Sequence, residues 1–240
     1  MRIKAIIAYD GSAFDGFQRQ KHTPRTVAQN IENVLKSLGI ETNIVASGRT
    51  DKGVHATNQV IHFDTPNFWD DTKRLQKALE GKLQFIKIKK LTQVDQQFHA
   101  RYSAKKRQYR YIFKTTPLNF FEERFVTFFE NFDKTKLQEA LALFIGEHDF
   151  INYCKYNQHY TNTNRHIFKS FYYHHKSYDI ITLEANGFLH SQVRMIVYDV
   201  MRYAQGFIPL ERIISKLNTP LETTKQLAPP NGLYLTKVFY

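Results

Sequence analysis

Between Arg2 and Phe63 the apolar residues change their spacing twice, from every second position to one helical face and back, and the same change recurs after Arg107. A strand buries alternate side chains and a helix buries one stripe, so each change of period marks the border of an element. Arg2 to Tyr9 reads as a strand that stops at the turn Asp10-Gly11-Ser12. Thr26 and Gln29 stand at capping-box spacing, Val27, Ile31, Val34, Leu35 and Leu38 fall on one helical face, and Gly39 ends the helix. Glu41 to Ala46 is then expected as a strand, Ser47-Gly48 as the start of a loop, and Asn58 to Phe63 as the next strand.

The second half follows the same plan. Arg107, Tyr109, Tyr111 and Phe113 alternate onto one face of a strand over Arg107 to Phe113. A helix is expected from Lys134 to Ile145 with Leu137, Ala140, Leu141 and Phe144 on one side and Gly146 as its stop. Strands at His166 to His174 and Asp179 to Ala185 precede a turn at Asn186-Gly187, and a helix from Leu189 to Ala204 buries Val193, Ile196, Val197 and Val200 before Gly206. The expected class is α+β, with two similar halves at 1–97 and 98–240, each a mostly antiparallel sheet carrying helices on one face, and a cleft where the open faces meet. The segment from Asn67 to Gln97, helical at first and polar later, is the expected join.

With 42% hydrophobic residues the 240-residue chain can build a substantial core. Its net charge of +12 sets up a field that attracts a polyanion, and its fourteen Tyr and twenty Phe supply faces on which bases can stack. The single cysteine, Cys154, leaves no internal disulfide and no cysteine-rich zinc site, which fits a reducing cytoplasm. No window approaches a membrane span. The ten histidines show no zinc spacing, and His174 and His175, adjacent in a strand, point to opposite faces, so no metal and no membrane contact is expected.

Chemistry concentrates in Gly48-Arg49-Thr50-Asp51-Lys52-Gly53-Val54-His55, a loop between two strands. Its glycines allow tight folding, and Arg49 and Lys52 place positive charge beside Asp51 that would keep the carboxylate ionised. Read locally, an Asp-capped turn explains the same residues. Tyr109 reads equally as sheet core, and Arg194 as part of a solvated helix face. Asp10 and Asp15 read as turn residues.

The loop resembles the signature segment of TruA-type tRNA pseudouridine synthases, and four further blocks resemble that family in the same order. These are Tyr9-Asp10-Gly11-Ser12 through Gln18-Arg19-Gln20; Phe98-His99-Ala100-Arg101-Tyr102 with Arg107-Gln108-Tyr109-Arg110-Tyr111; Phe188-Leu189-His190 with Val193-Arg194; and Gly232-Leu233-Tyr234-Leu235. The resemblance implies the pseudouridine synthase fold with RRM-like halves and an active-site cleft between them. It implies isomerisation of uridine to pseudouridine in the tRNA anticodon stem-loop, at positions 38, 39 and 40, without metal or cofactor. By position it makes Asp51 the catalytic residue, Tyr109 the ring that packs on the target base and Arg194 the partner of the carboxylate, with Arg49 also at the substrate. It puts tRNA contacts at Phe98, His99, Ala100, Arg101 and Tyr102, to which the basic run Lys105, Lys106, Arg107 and Arg110 adds phosphate-binding charge. A second contact segment maps to Asn157 to Thr161, and a homodimer is implied. Lys87, Lys89 and Lys90 read either as further RNA contacts or as a solvated edge strand.

The sequence departs from the family pattern in a compressed Leu79 to Ile88 segment, in Lys52 where a small residue is frequent, in Met195 where Asn often follows Val-Arg, and in the Tyr-, Asn- and Thr-rich stretch Tyr153 to Asn164. Two other readings compete: an RNA-binding protein without catalysis, and a pseudouridine synthase acting on a different RNA position. A typical aromatic RNP motif is absent, which weighs against the first.

Overall fold

A computed structural model describes residues 1–155, 162–219 and 226–240. In chain order the elements are β1 (Arg2–Tyr9), α1 (Val27–Ser37), β2 (Val45–Ala46), β3 (His55–Asp64), α2 (Thr72–Glu80), β4 (Ile86–Val94), β5 (Lys106–Lys114), β6 (Thr127–Phe128), α3 (Lys134–Ala142), β7 (Gly146–Asp149), β8 (Asn164–His175), β9 (Tyr178–Ala185), α4 (Gln192–Ala204), α5 (Leu210–Asn218) and β10 (Leu233–Phe239). They form two compact α+β units, one of residues 1–105 with 234–240 and one of residues 106–233. The Phe98–Lys105 segment and residues 234–239 of the closing strand group with the first unit.

In the first unit the strand order is β4-β1-β3-β10, with β2 on β3. β1 pairs antiparallel with both β3 and β4, and β10 joins β3 in parallel. Ile3, Ala5, Ile7 and Tyr9 of β1 are buried with Ile86, Ile88 and Leu91 of β4, as are Val27, Ala28, Ile31 and Leu35 of α1 and Leu75 and Leu79 of α2, which packs on β4. Thr26 caps α1 by accepting the Gln29 amide at 3.2 Å; the reciprocal half of the expected capping box is replaced, because the Thr26 amide donates to the Pro24 carbonyl. The strand expected over Glu41–Ala46 shrinks to two residues. Glu32 reaches out from α1 and accepts the Ile44 amide at 3.0 Å, taking a donor that a ladder would need. The expected join is integral to this unit: α2 is followed by β4, an edge strand.

In the second unit the order is β5-β9-β8-β7 with β6 parallel to β5. Both helices expected here are shorter than the apolar period suggested. α3 starts where expected, after Asp133, whose carboxylate accepts the Thr135 and Lys136 amides, but ends at Ala142, and α4 starts at Gln192, whose side chain accepts the Leu189 amide at 2.8 Å. Ser191, just before α4, holds a left-handed φ of 62°. α5 adds a buried ion pair: the Lys216 ammonium lies 2.8 Å from Asp199 of α4 and 4.4 Å above the Tyr153 ring. Removing one member of such a pair strands the other in a poor solvent for charge. Lys216→Met is expected to cost about 3 kcal/mol, read as a lower urea midpoint, and Lys216→Met with Asp199→Asn is expected to recover much of the loss.

Candidate active site

The loop bearing Asp51 is tied down on both sides. At its entry the buried Gln59 side chain accepts the Ser47 hydroxyl at 2.6 Å and donates to the Gly48 carbonyl at 2.8 Å, while the Ser47 amide donates to Val60. Next, the buried Thr50 shares a 2.8 Å hydrogen bond with the Tyr9 hydroxyl and accepts the Phe17 amide at its carbonyl. Burial pushes the Tyr9 phenol up to about 12, so it stays a neutral partner. After Asp51 the chain turns, with the Val54 amide on the Asp51 carbonyl at 3.2 Å and Gly53 at φ 79°. Asp51 itself is half-buried and Arg49 exposed.

The Tyr9–Gln20 block is the floor of this loop. A Cβ on Gly11 would lie 2.1 Å from the Val54 carbonyl oxygen, so the two backbones meet where no side chain fits. The Gly11 amide donates to His55 Nδ1 at 3.0 Å, which puts the ring proton on Nε2, and the ring stacks on Tyr234 at 4.8 Å. The Lys52 ammonium lies 2.8 Å from Asp15, an ion pair that sequence reading did not foresee. Asp15 also accepts from Arg25 and Thr23, and Arg25, then Lys52, then Thr23 hold its carboxyl well below the usual carboxylate range. Asp10 accepts the Ser12 amide and hydroxyl. Both aspartates therefore serve the turns, as their sequence context suggested. Sequence reasoning missed Tyr9, Gln59 and His55 as supports, although the Tyr9-Asp10-Gly11 block marked where to look.

The Phe98–Tyr102 segment forms a second cluster in the same unit. The Ala100 amide donates to His62 Nδ1 at 3.0 Å, and His99 Nδ1 accepts the Arg101 and Tyr102 amides. This turn lifts Tyr102 into solvent, 77% exposed, stacked 4.3 Å from His99 with the Arg101 guanidinium over its ring. Burial, then the charge of Arg2, lowers His62 to about 4.

In the second unit Tyr109 is buried and meets Phe188 edge to face at 5.2 Å. Arg194, on α4, donates from Nε to the Ala228 carbonyl at 2.8 Å. The basic run does not form one surface. Strand alternation turns Arg107, which donates to the Asn186 carbonyl, to the Tyr109 side, and turns Lys106 and the exposed Arg110 the other way. Lys106 is 3.5 Å from the buried Glu184 and 4.4 Å over Phe168, while Lys105 remains exposed. The Asn157–Thr161 segment lies outside the described residues. Cys154 is buried. Among the described residues no group of His, Cys, Asp or Glu is arranged to hold a metal, and no helix is long and apolar enough to cross a membrane.

Two outcomes follow from this geometry. Gly11→Ala is expected to destabilise the fold by about 3 kcal/mol, measured by chemical denaturation, because neither backbone can retreat. His62 has a folded-state pKa below its ordinary 6.5, so the unfolded chain binds the extra proton first and stability falls as pH drops from about 6.5 to about 4. A titration of the His62 ring by NMR is expected to give a midpoint near 4, with the urea midpoint declining across that window.

The family described as tRNA pseudouridine synthase matches residues 5–103 and 140–240. The proteins named tRNA pseudouridine synthase A from Wolinella succinogenes, Campylobacter jejuni and Helicobacter hepaticus are similar at 37%, 36% and 35% identity. The alignments cover 98%, 100% and 99% of this chain and 93%, 100% and 98% of those proteins. With the Asp51 loop, the Phe98–Tyr102 turn and the Phe188–Arg194 segment all inside the matched residues, the chain belongs to the tRNA pseudouridine synthase family.

Proposed function

We propose that the protein isomerises uridine to pseudouridine in tRNA, at positions 38, 39 and 40 of the anticodon stem-loop, with Asp51 as the catalytic residue. The full-length likeness to proteins named tRNA pseudouridine synthase A carries this reading. In the reaction the bond from uracil N1 to the ribose breaks, the base turns, and a bond from C5 to the same ribose carbon forms; C5 loses a proton and N1 gains one. Atoms and electrons balance without a redox partner. The target atoms are inaccessible in a stacked helix, so the nucleotide must be flipped out and held.

Asp51 suits this task because the residues before and after it are fixed by Tyr9, Gln59 and the Gly11 contact, which leaves the carboxylate little orientational freedom. It acts at the sugar or at the base as nucleophile, or as the base that takes the proton, and each role requires the ionised form. In this reading Arg194 pairs with that carboxylate, Tyr109 packs on the flipped base and Arg49, exposed beside Asp51, meets the substrate backbone. Phe98 to Tyr102, with Lys105, Lys106, Arg107 and Arg110, hold tRNA, the exposed Tyr102 ring offering a stacking face. A homodimer working in the cytoplasm completes the proposal.

Asp51→Ala is expected to abolish pseudouridine formation while tRNA binding stays within a few-fold of the parent. Loss of binding without activity in the parent would favour an RNA-binding protein. Mapping pseudouridine in tRNA from cells lacking the protein is expected to show loss at positions 38 to 40; an unchanged pattern there, with loss elsewhere, would assign a different RNA position.

A further inference from the structure

On the face of the first unit's sheet that bears Lys4, β3 is buried at Val60 and His62 while β1 and the edge strand β4 reach solvent, and the cations there are unevenly matched by anions. On β1 this face carries Lys4, which pairs across the sheet with His62 on β3 and Thr92 on β4; its neighbour Ile6 pairs with Lys90. β4 bulges between Lys90 and Ile88, which places Lys89 outside the regular register. The Lys89 ammonium reaches over to β3, donating to the Thr57 carbonyl at 3.2 Å and to Asn58 Oδ1 at 2.8 Å. Asn58 is itself fixed by donating to the Thr236 carbonyl. Lys89 is thereby ordered by neutral acceptors, which leave its charge uncompensated.

Lys4 lies 4.2 Å over the Tyr240 ring and 5.2 Å over Phe98, and Tyr240 donates to the Ala100 carbonyl. Burial and then the neighbouring charge of Lys90 lower the Lys4 pKa, so the two ammoniums feel each other. Among the described residues neither Lys4, Lys89 nor Lys90 has a carboxylate partner; Lys87, next along β4, does, with Glu80 at 3.6 Å. The turn Phe98–Tyr102 sits on this same face, anchored at His62. A basic strip thus runs from Arg101 and Tyr102 through Lys4 to Lys90 and Lys89, and its cations stand close enough to repel each other in the absence of an anion.

We infer that this sheet face, through Lys4, Lys89 and Lys90, binds the sugar-phosphate backbone of the tRNA beyond the reacting nucleotide, extending the Phe98–Tyr102 contact. A strip of ammoniums backed by neutral acceptors matches a chain of phosphates and reads no base. The inference rests on the reading of the protein as an enzyme acting on tRNA.

The test is equilibrium binding of unmodified tRNA at several salt concentrations, together with steady-state pseudouridine formation, for the parent, Lys89→Gln/Lys90→Gln, Lys89→Arg/Lys90→Arg and Lys87→Gln. The double Gln variant is expected to weaken binding about tenfold near physiological salt and to reduce the log–log salt slope by about 1.5, from ~0.7–0.9 per phosphate contact. Its kcat at saturating tRNA stays at the parent value and KM rises. The Arg variant keeps the parent slope, and Lys87→Gln, already neutralised by Glu80, changes it by less than half as much. An unchanged slope in the double Gln variant overturns the inference, as does a loss confined to anionic lipid vesicles with tRNA binding intact. A parent that forms no pseudouridine in any tRNA overturns the functional reading instead, because binding is measured without turnover.

Discussion

The contact of the Gly11 backbone with the Val54 carbonyl is the constraint on which the Asp51 loop depends. Once the two segments are that close, the Tyr9 hydroxyl falls on Thr50, the Gly11 amide on His55 and Asp15 beside Lys52. Each of these would be a modest interaction alone. Together they fix the backbone on both sides of one carboxylate, which converts the stability of the β1 and β3 core into precision at the loop. The loop is exposed at Arg49 and Lys52 but buried and anchored at Thr50, Val54 and His55.

The sequence made some of this legible and hid the rest for identifiable reasons. Periodicity located β1, α1, β5, β8 and β9, since alternate or helical burial is a local signal, and Thr26 announced its cap. The length of β2 was hidden because Glu32, on a neighbouring helix, takes the amide that would have extended it. β4, with its lysines exposed between Ile86, Ile88 and Leu91, is the solvated edge strand that was one of the two readings of Lys87, Lys89 and Lys90, although its bounds were lost in a segment read as polar connection. At the site, Asp51 stood out by its glycine-rich setting and its family resemblance, but the direction of the Lys52 charge could not be read, because Asp15 is brought near only by the fold. The dense basic run looked like one patch in sequence; a strand divides such a run between two faces.

The histidines illustrate how composition misleads about chemistry. His55, His62 and His99 each use Nδ1 to accept backbone amides, at Gly11, at Ala100, and at Arg101 with Tyr102. An imidazole in this role satisfies donors in turns where no strand or helix partner is available. Two of the three hold the Phe98–Tyr102 turn and one holds the floor of the Asp51 loop, so these rings are scaffolding for the residues around them.

β10 gives the fold a temporal dimension. Its residues Tyr234 and Leu235 pair with His55 and Ala56, its Tyr234 ring supports His55, Phe239 accepts the Lys105 amide and the following Tyr240 reaches Ala100. The first unit therefore joins residues 1–105 to residues 234–240, a pairing of large sequence separation that can form only late. During translation the His55 side of β3 stays without this neighbour until residues 233–239 have emerged, exposing a strand edge that invites pairing with other nascent chains. A ribosome-bound intermediate of this protein would carry its Asp51 loop long before it carried the Tyr234 ring that stacks on His55.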